Sequence, residues 1–196
     1  MTKKEIIWRE ILVECRQNRK IKFTQKELAE KFGFSVSTVF NALKAPRAAN
    51  SITVSGRFFI LEDYRKLLYF WATERAFEKD IIYQSALQGS IKEVEAVMPP
   101  HVRFGLYSAF RMGYRKEPAE YDHLYVYAGK ERVDAIRERI ADKEFKSSSP
   151  NFFVLESDSW LRTYQDPIFE QIFVDIWNAP EWYAKDFLKE LERDIL

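Results

Sequence analysis

The sequence predicts an α+β chain of two domains: a basic, mostly helical domain with a β-hairpin over residues 1–79, and a mixed α/β domain over 80–196. Three observations predict this. Charge is divided unevenly: Met1 to Arg75 carries 15 Lys and Arg against 8 Asp and Glu, net +7, and the remainder carries 16 against 22, net −6. The front holds helical apolar spacings and one hairpin signal, whereas the back alternates short β-rich runs with helical stripes. The length of 196 residues, 46% of them apolar, suffices for one large domain or two small ones.

Composition excludes several classes. Charges at 31% that nearly cancel to +1 argue against disorder, and aromatics at 16% predict ring-rich cores. A single cysteine, Cys15, excludes a disulfide framework and any cysteine-built metal site. No apolar run approaches the roughly 20 residues of a membrane helix. Met1 to Glu5 leads directly into an amphipathic helix and lacks the apolar stretch of a signal peptide. A soluble, cytoplasmic protein with no membrane partner is expected.

The elements follow in order. Ile6, Ile7, Ile11, Leu12 and Cys15 recur near helical spacing and predict a helix from Lys4 to Asn18, followed by a basic link from Gln17 to Lys22. Thr24 can cap the next helix, Gln25 to Phe32, with Glu27 in place for a capping box. Gly33 supplies the left-handed stop. Ser35 caps a third helix, Val36 to Lys44, expected to end before Pro46.

Residues Gln25 to Lys44 resemble the helix-turn-helix motif. Ala29 stands where two helices cross tightly and Gly33 stands in the turn. Leu28, Phe32, Phe34, Val39 and Ala42 occupy the apolar locking positions. The resemblance implies that the second helix of the pair presents its outer face to the major groove. On that face are Ser35, Ser37, Thr38, Asn41 and Lys44, hydroxyls, an amide and an amine that suit phosphates and base edges. Phe40 departs from the usual polar residue; it either contacts thymine methyls or packs against the following hairpin, and packing is the preferred reading. Between Cys15 and Ile60 nine cationic side chains meet only Glu27 and Glu30, a balance suited to a polyanion. Arg19, Lys20, Thr24, Arg47 and Arg57 complete the candidate DNA-contacting set.

Ile52 to Ile60 flanks Ser55-Gly56 with alternating and β-branched residues, a hairpin signal. A helix-turn-helix followed by a hairpin resembles a winged helix. The fold class is therefore an N-terminal winged helix-turn-helix domain followed by a mixed α/β C-terminal domain. Two readings of Arg57 stand: a wing-tip contact to the minor groove or phosphate, and a solvated turn charge.

Leu61 to Lys79 is predicted as one helix, favoured at its start by Asp63 or Glu62. Its wide apolar arc suits either a core helix or a contact surface, with Trp71 as a candidate anchor. In the back half, a strand is expected over Asp80 to Gln84 and a helix capped by Ser90 through Val97. Phe104 to Met112 reads as helix, His123 to Ala128 as strand and Lys130 to Ala141 as helix. Ser147 to Pro150 reads as loop and Asn151 to Leu155 as strand. Asp166-Pro167 reads as the cap and first residue of a helix striped by Ile168, Phe169, Ile172, Phe173, Ile176 and Trp177. Pro180 opens the last helix.

Chemistry in the back half is sparse. Glu144-Phe145-Lys146 has the spacing of a nuclease carboxylate and lysine, but at a helix end. His101 and His123 lack a nucleophile pattern, and the six glycines form no phosphate loop. Asp175 reads as a solvated or capping carboxylate. No catalytic residue, metal or cofactor is expected.

The order of parts resembles the AbiEi-type antitoxins of type IV toxin–antitoxin systems. The motifs are Phe104-Gly-Leu-Tyr-Ser-Ala-Phe-Arg-Met-Gly113, the strand Leu124-Tyr-Val-Tyr127, Asn151-Phe-Phe-Val-Leu155, and Gln171-Ile-Phe-Val-Asp-Ile-Trp-Asn178 before a final helix. The resemblance implies a winged-helix repressor of its own operon. It also implies an antitoxin role beside a nucleotidyltransferase-like toxin. Expected partners are double-stranded operator DNA, in inverted-repeat form if the chain is a homodimer, and that toxin. Two other readings compete: a ligand-sensing regulator with an aromatic pocket, and a DNA-targeted nuclease.

Overall fold

Thr2 starts the first helix by a capping box: its hydroxyl accepts the Glu5 amide and the Glu5 carboxylate accepts the Thr2 amide at 2.8 Å. The computed structural model describes residues 1–100, 102–114, 116–145 and 149–195. It divides into two compact units, Met1–Arg75 with Arg193–Leu196, and Ala76–Glu192. No helix among the described residues is long and apolar enough to cross a membrane.

The first unit runs α1 (Lys3–Asn18), β1 (Lys22–Phe23), α2 (Gln25–Phe32), α3 (Val36–Ala48), β2 (Ile52–Ser55), β3 (Phe58–Leu61) and α4 (Tyr64–Glu74). Its sheet is antiparallel in the order β1-β3-β2. The basic link expected from sequence ends at Lys22, the first residue of β1, which pairs Phe23 with Phe59 and stacks the two rings. Two residues are too few to leave an alternation pattern. Ile7, Trp8, Ile11, Leu12, Val39, Phe59, Leu67 and Trp71 fill the core.

Three expectations for this unit are corrected. The third helix passes through Pro46 and ends at Ala48. Proline has no N–H to give the carbonyl four residues back, and the Trp8 indole donates to that Ala42 carbonyl at 2.9 Å instead. The predicted helix over Leu61 to Lys79 is shorter. Leu61 belongs to β3, Asp63 caps α4 by accepting the Lys66 amide at 2.8 Å, and Phe77–Asp80 forms a 3-10 turn after the helix ends. Arg75, just past that end, is buried in an ion pair with Glu5 at 3.2 Å. Trp71 is also fully buried, its indole 3.4 Å from the same carboxylate, so it is no contact anchor.

The second unit runs β4 (Ile81–Ser85), α5 (Ile91–Val97), β5 (Arg103–Phe104), α6 (Leu106–Tyr114), β6 (Leu124–Ala128), α7 (Val133–Ile140), β7 (Phe152–Glu156), α8 (Phe169–Trp177) and, up to Glu192, most of α9 (Ala184–Ile195). The sheet order is β4-β7-β6-β5, with β6 and β7 parallel and both edge strands antiparallel. The β6–α7–β7 crossover is what two parallel neighbours require. Strand β6 is buried throughout. Leu124, Val126 and Ala128 join Phe152, Val154, Val94, Ile136 and Ile140 in one cluster. The alternate residue Tyr125 stacks on Phe153 and meets Tyr107 edge-on.

Here too the structure departs from the sequence reading. Arg103 and Phe104 form a strand before α6 starts at Leu106. Lys130–Arg132 is a 3-10 turn ahead of α7. Asp166 does not cap α8, whose N-cap position is Ile168; its carboxylate meets the Arg103 guanidinium. Asp175 is fully buried, accepting hydrogen bonds from the Tyr127 hydroxyl and from the Gln171 amide at 2.7 Å. Trp177 ends the stripe exposed. His101 and Lys146, and part of the Ser147 to Pro150 loop, lie outside the described residues.

Candidate nucleic-acid interface

Helix α3 separates its residues cleanly. Val39, Ala42, Leu43 and Pro46 turn inward, while Val36, Ser37, Phe40, Asn41, Lys44 and Arg47 remain exposed. It is held against α2 by a tight turn. Gly33 takes φ +64, a conformation that favours glycine, and its amide and that of Phe34 return to the end of α2. Leu28, Ala29 and Phe32 are buried behind α3, and Phe34 is half-buried and stacked on Phe32.

The candidate side chains fall into two groups. Thr24, Ser35 and Thr38 are committed to helix starts. The Thr24 hydroxyl accepts the Glu27 amide at 3.1 Å, and the Ser35 hydroxyl accepts the Thr38 amide at 3.1 Å. Ser35 also lies 2.9 Å from both the Ser37 and Thr38 hydroxyls. The helices they cap, α2 and α3, begin at Gln25 and Val36, and the dipole at such a helix start favours an anion. Asn41, Lys44 and Arg47 lie on the open face of α3, and Arg19 is exposed at the end of α1. Arg57 is exposed in the two-residue turn between β2 and β3, which Gly56 permits at φ +60. Lys20 is half-buried, 2.9 Å from Glu27 and 5.0 Å over the Phe23 ring.

Phe40, for which packing against the hairpin was the preferred reading, is 46% exposed, with the Lys44 ammonium 5.2 Å over its ring. Sequence reading passed over Val36, 49% exposed on the same face. Its place four residues before Phe40 is the signal that finds it.

In the second unit the polar groups are tied to one another. The two Glu181 oxygens accept the Tyr107 hydroxyl at 2.8 Å and the Tyr125 hydroxyl at 2.5 Å. Burial, reinforced by that carboxylate, pushes both phenols far above their ordinary range. Tyr183 donates to Asp122 at 2.9 Å and is raised by burial and then by this bond. Partial burial acts to raise Asp122, but hydrogen bonds from His123 and Tyr183 prevail and hold it below the usual carboxylate range. Glu144, of the candidate nuclease pair, accepts the hydroxyls of Tyr83 and of Ser85 at 2.9 Å. Both bonds lower its pKa. Sequence reading missed this network because its members come from segments far apart in the chain.

Among the described residues, no three His, Cys, Asp or Glu side chains gather as a metal site requires. A recess of about 150 Å³ between Val102, Phe104, Ala109, Met112 and Pro167 is smaller than an ordinary ligand pocket, whereas an open one of about 390 Å³ beside Phe110, Tyr114 and Pro118 falls within the usual range. Compared with protein families, with curated proteins and with solved structures, the chain finds no match.

Proposed function

We propose that this chain is a sequence-specific duplex-DNA-binding regulator whose first unit is a winged helix-turn-helix. The observation that carries the reading is the open face of α3. Ser37, Asn41, Lys44 and Arg47 stand exposed on a helix braced from behind by α2. Around it the segment Cys15 to Ile60 has nine cationic side chains and two acidic ones. The order α1-β1-α2-α3-β2-β3 and the sheet order β1-β3-β2 support the winged-helix assignment.

In this reading Asn41 reads a base edge, because an amide can donate and accept on one adenine. Lys44, Arg47, Arg19 and Lys20 take phosphates, and Arg57 reaches the flanking backbone or minor groove from the hairpin tip. The amides at the starts of α2 and α3 add phosphate donors that need no side chain. The chain represses its own operon and acts as the antitoxin to a nucleotidyltransferase-like toxin, as its motifs suggest. It takes no catalytic part itself.

Selection of the full-length protein against a pool of random duplexes tests the reading. The expected outcome is enrichment of a defined sequence whose preference relaxes in Asn41→Ala. Failure to enrich any sequence, with no shift of any duplex, would overturn it.

A further inference from the structure

The open face of α3 is half apolar. Val36 and Phe40 sit one helical turn apart and are 49% and 46% exposed, interleaved with Ser37, Asn41 and Lys44. The core does not need them, since Val39, Ala42, Leu43 and Pro46 already fill the inward side. Two large apolar side chains on one solvent face are most simply explained by a surface that covers them.

The surrounding charge says what kind of surface. Nine cationic groups against two acidic ones from Cys15 to Ile60 suit a polyanion. In the major groove of duplex DNA, between the phosphates, the apolar feature of the base edges is the thymine C5 methyl group. The Lys44 ammonium, 5.2 Å over the Phe40 ring, links the aromatic seat to a phosphate-seeking charge.

We infer that Val36 and Phe40 form a seat for thymine methyl groups, making them specificity-determining residues; this rests on the DNA-reading role proposed above. Phe40 lies beside Asn41, so the seat and the amide address neighbouring positions in the groove. The preferred sequence then contains thymine beneath α3 and an adenine within reach of Asn41.

Deoxyuridine tests this directly, because it keeps every hydrogen-bonding group of thymidine and lacks only the methyl. The probe is the duplex selected by the full-length protein, with its thymines replaced one at a time. At one or two positions replacement should weaken binding about fourfold, the effect of leaving one methyl-sized group unburied. Phe40→Ala should bind the thymine and uracil duplexes alike, and Phe40→Leu should recover part of the discrimination. Both substitutions fall on an exposed side chain, so folding is not at stake. Indifference of the unsubstituted protein to uracil at every position would overturn the seat while leaving DNA binding intact. Enrichment of no duplex would overturn both. A dimer that dissociates in Phe40→Ala without DNA would assign this face to a second copy of the chain, and overturn the seat as well.

Discussion

Pro46 lies inside α3, where a proline leaves the Ala42 carbonyl without its helical donor, and Trp8 donates to it from 34 residues away. This bond satisfies the carbonyl that Pro46 leaves open inside the helix. Trp8→Phe should lower stability by about 1–3 kcal/mol, the cost of leaving a buried acceptor unmet. Thermal denaturation reads this, and an unchanged midpoint would mean that the carbonyl finds another donor. On the open face, Asn41→Ala should cost about 1–3 kcal/mol on the selected duplex and little on random DNA. Lys20→Ala should weaken both alike, as loss of a phosphate contact does. Equal effects of the two variants on the two DNAs, measured by anisotropy, would reject this division. At this scale the helix caps were legible, because Thr24, Ser35 and Ser90 each bond an amide three residues ahead. The Trp8 donor and the Glu5–Arg75 pair were not, because partners 34 and 70 residues apart leave no local pattern.

Elements with enough residues to repeat a pattern were read close to their bounds. Helix α2 and strands β2, β3, β6 and β7 belong to this group. The two-residue strands β1 and β5 are fixed by their neighbours Phe59 and Val126, and nothing within them announces a strand. Helix α8 misled in another way. Its apolar stripe was visible, but Gln171 and Asp175 are buried too, because Tyr127 of β6 supplies a hydrogen bond between layers. The tyrosines that join β6, α6 and the start of α9 carry a pH prediction. Tyr107, Tyr125 and Tyr183 are all raised above their ordinary value of 10.0, so the folded form binds their protons more tightly than the unfolded chain does. Their contribution is fully present below pH 10.0 and is lost as pH rises above it. Tyrosinate absorbance should therefore show these three still protonated when exposed tyrosines have ionised, with the remainder appearing only on alkaline unfolding. A single ionisation of all ten tyrosines in the folded protein would contradict this. Glu144 works in the opposite sense. Its pKa is lowered from 4.5, so its contribution holds above that pH and fades as pH falls below it. Glu144→Gln should make unfolding less sensitive to acid in that range.

Across the whole chain the charge asymmetry is the feature that sequence reveals most directly: +7 up to Arg75 and −6 after it. It was legible because counting charge needs no fold. A role for the second unit was less legible, since its carboxylates and phenols satisfy one another. Trp182, 74% exposed, is a large aromatic surface residue in that unit. If the chain pairs on an inverted repeat through this residue, Trp182→Ala should reduce the two-to-one complex in sedimentation and leave binding to a single half-site unchanged. A strict monomer on both DNAs would remove pairing from the account. The central claim, a cationic surface that binds duplex DNA, is tested most directly by the salt dependence of binding. Arg19, Lys20, Lys44, Arg47 and Arg57 each neutralise one phosphate in this account, and each releases counterion. Log affinity of the full-length protein for a duplex should fall linearly with log salt, with a slope of about −4 to −5. A slope near zero, or no binding at low salt, would contradict it.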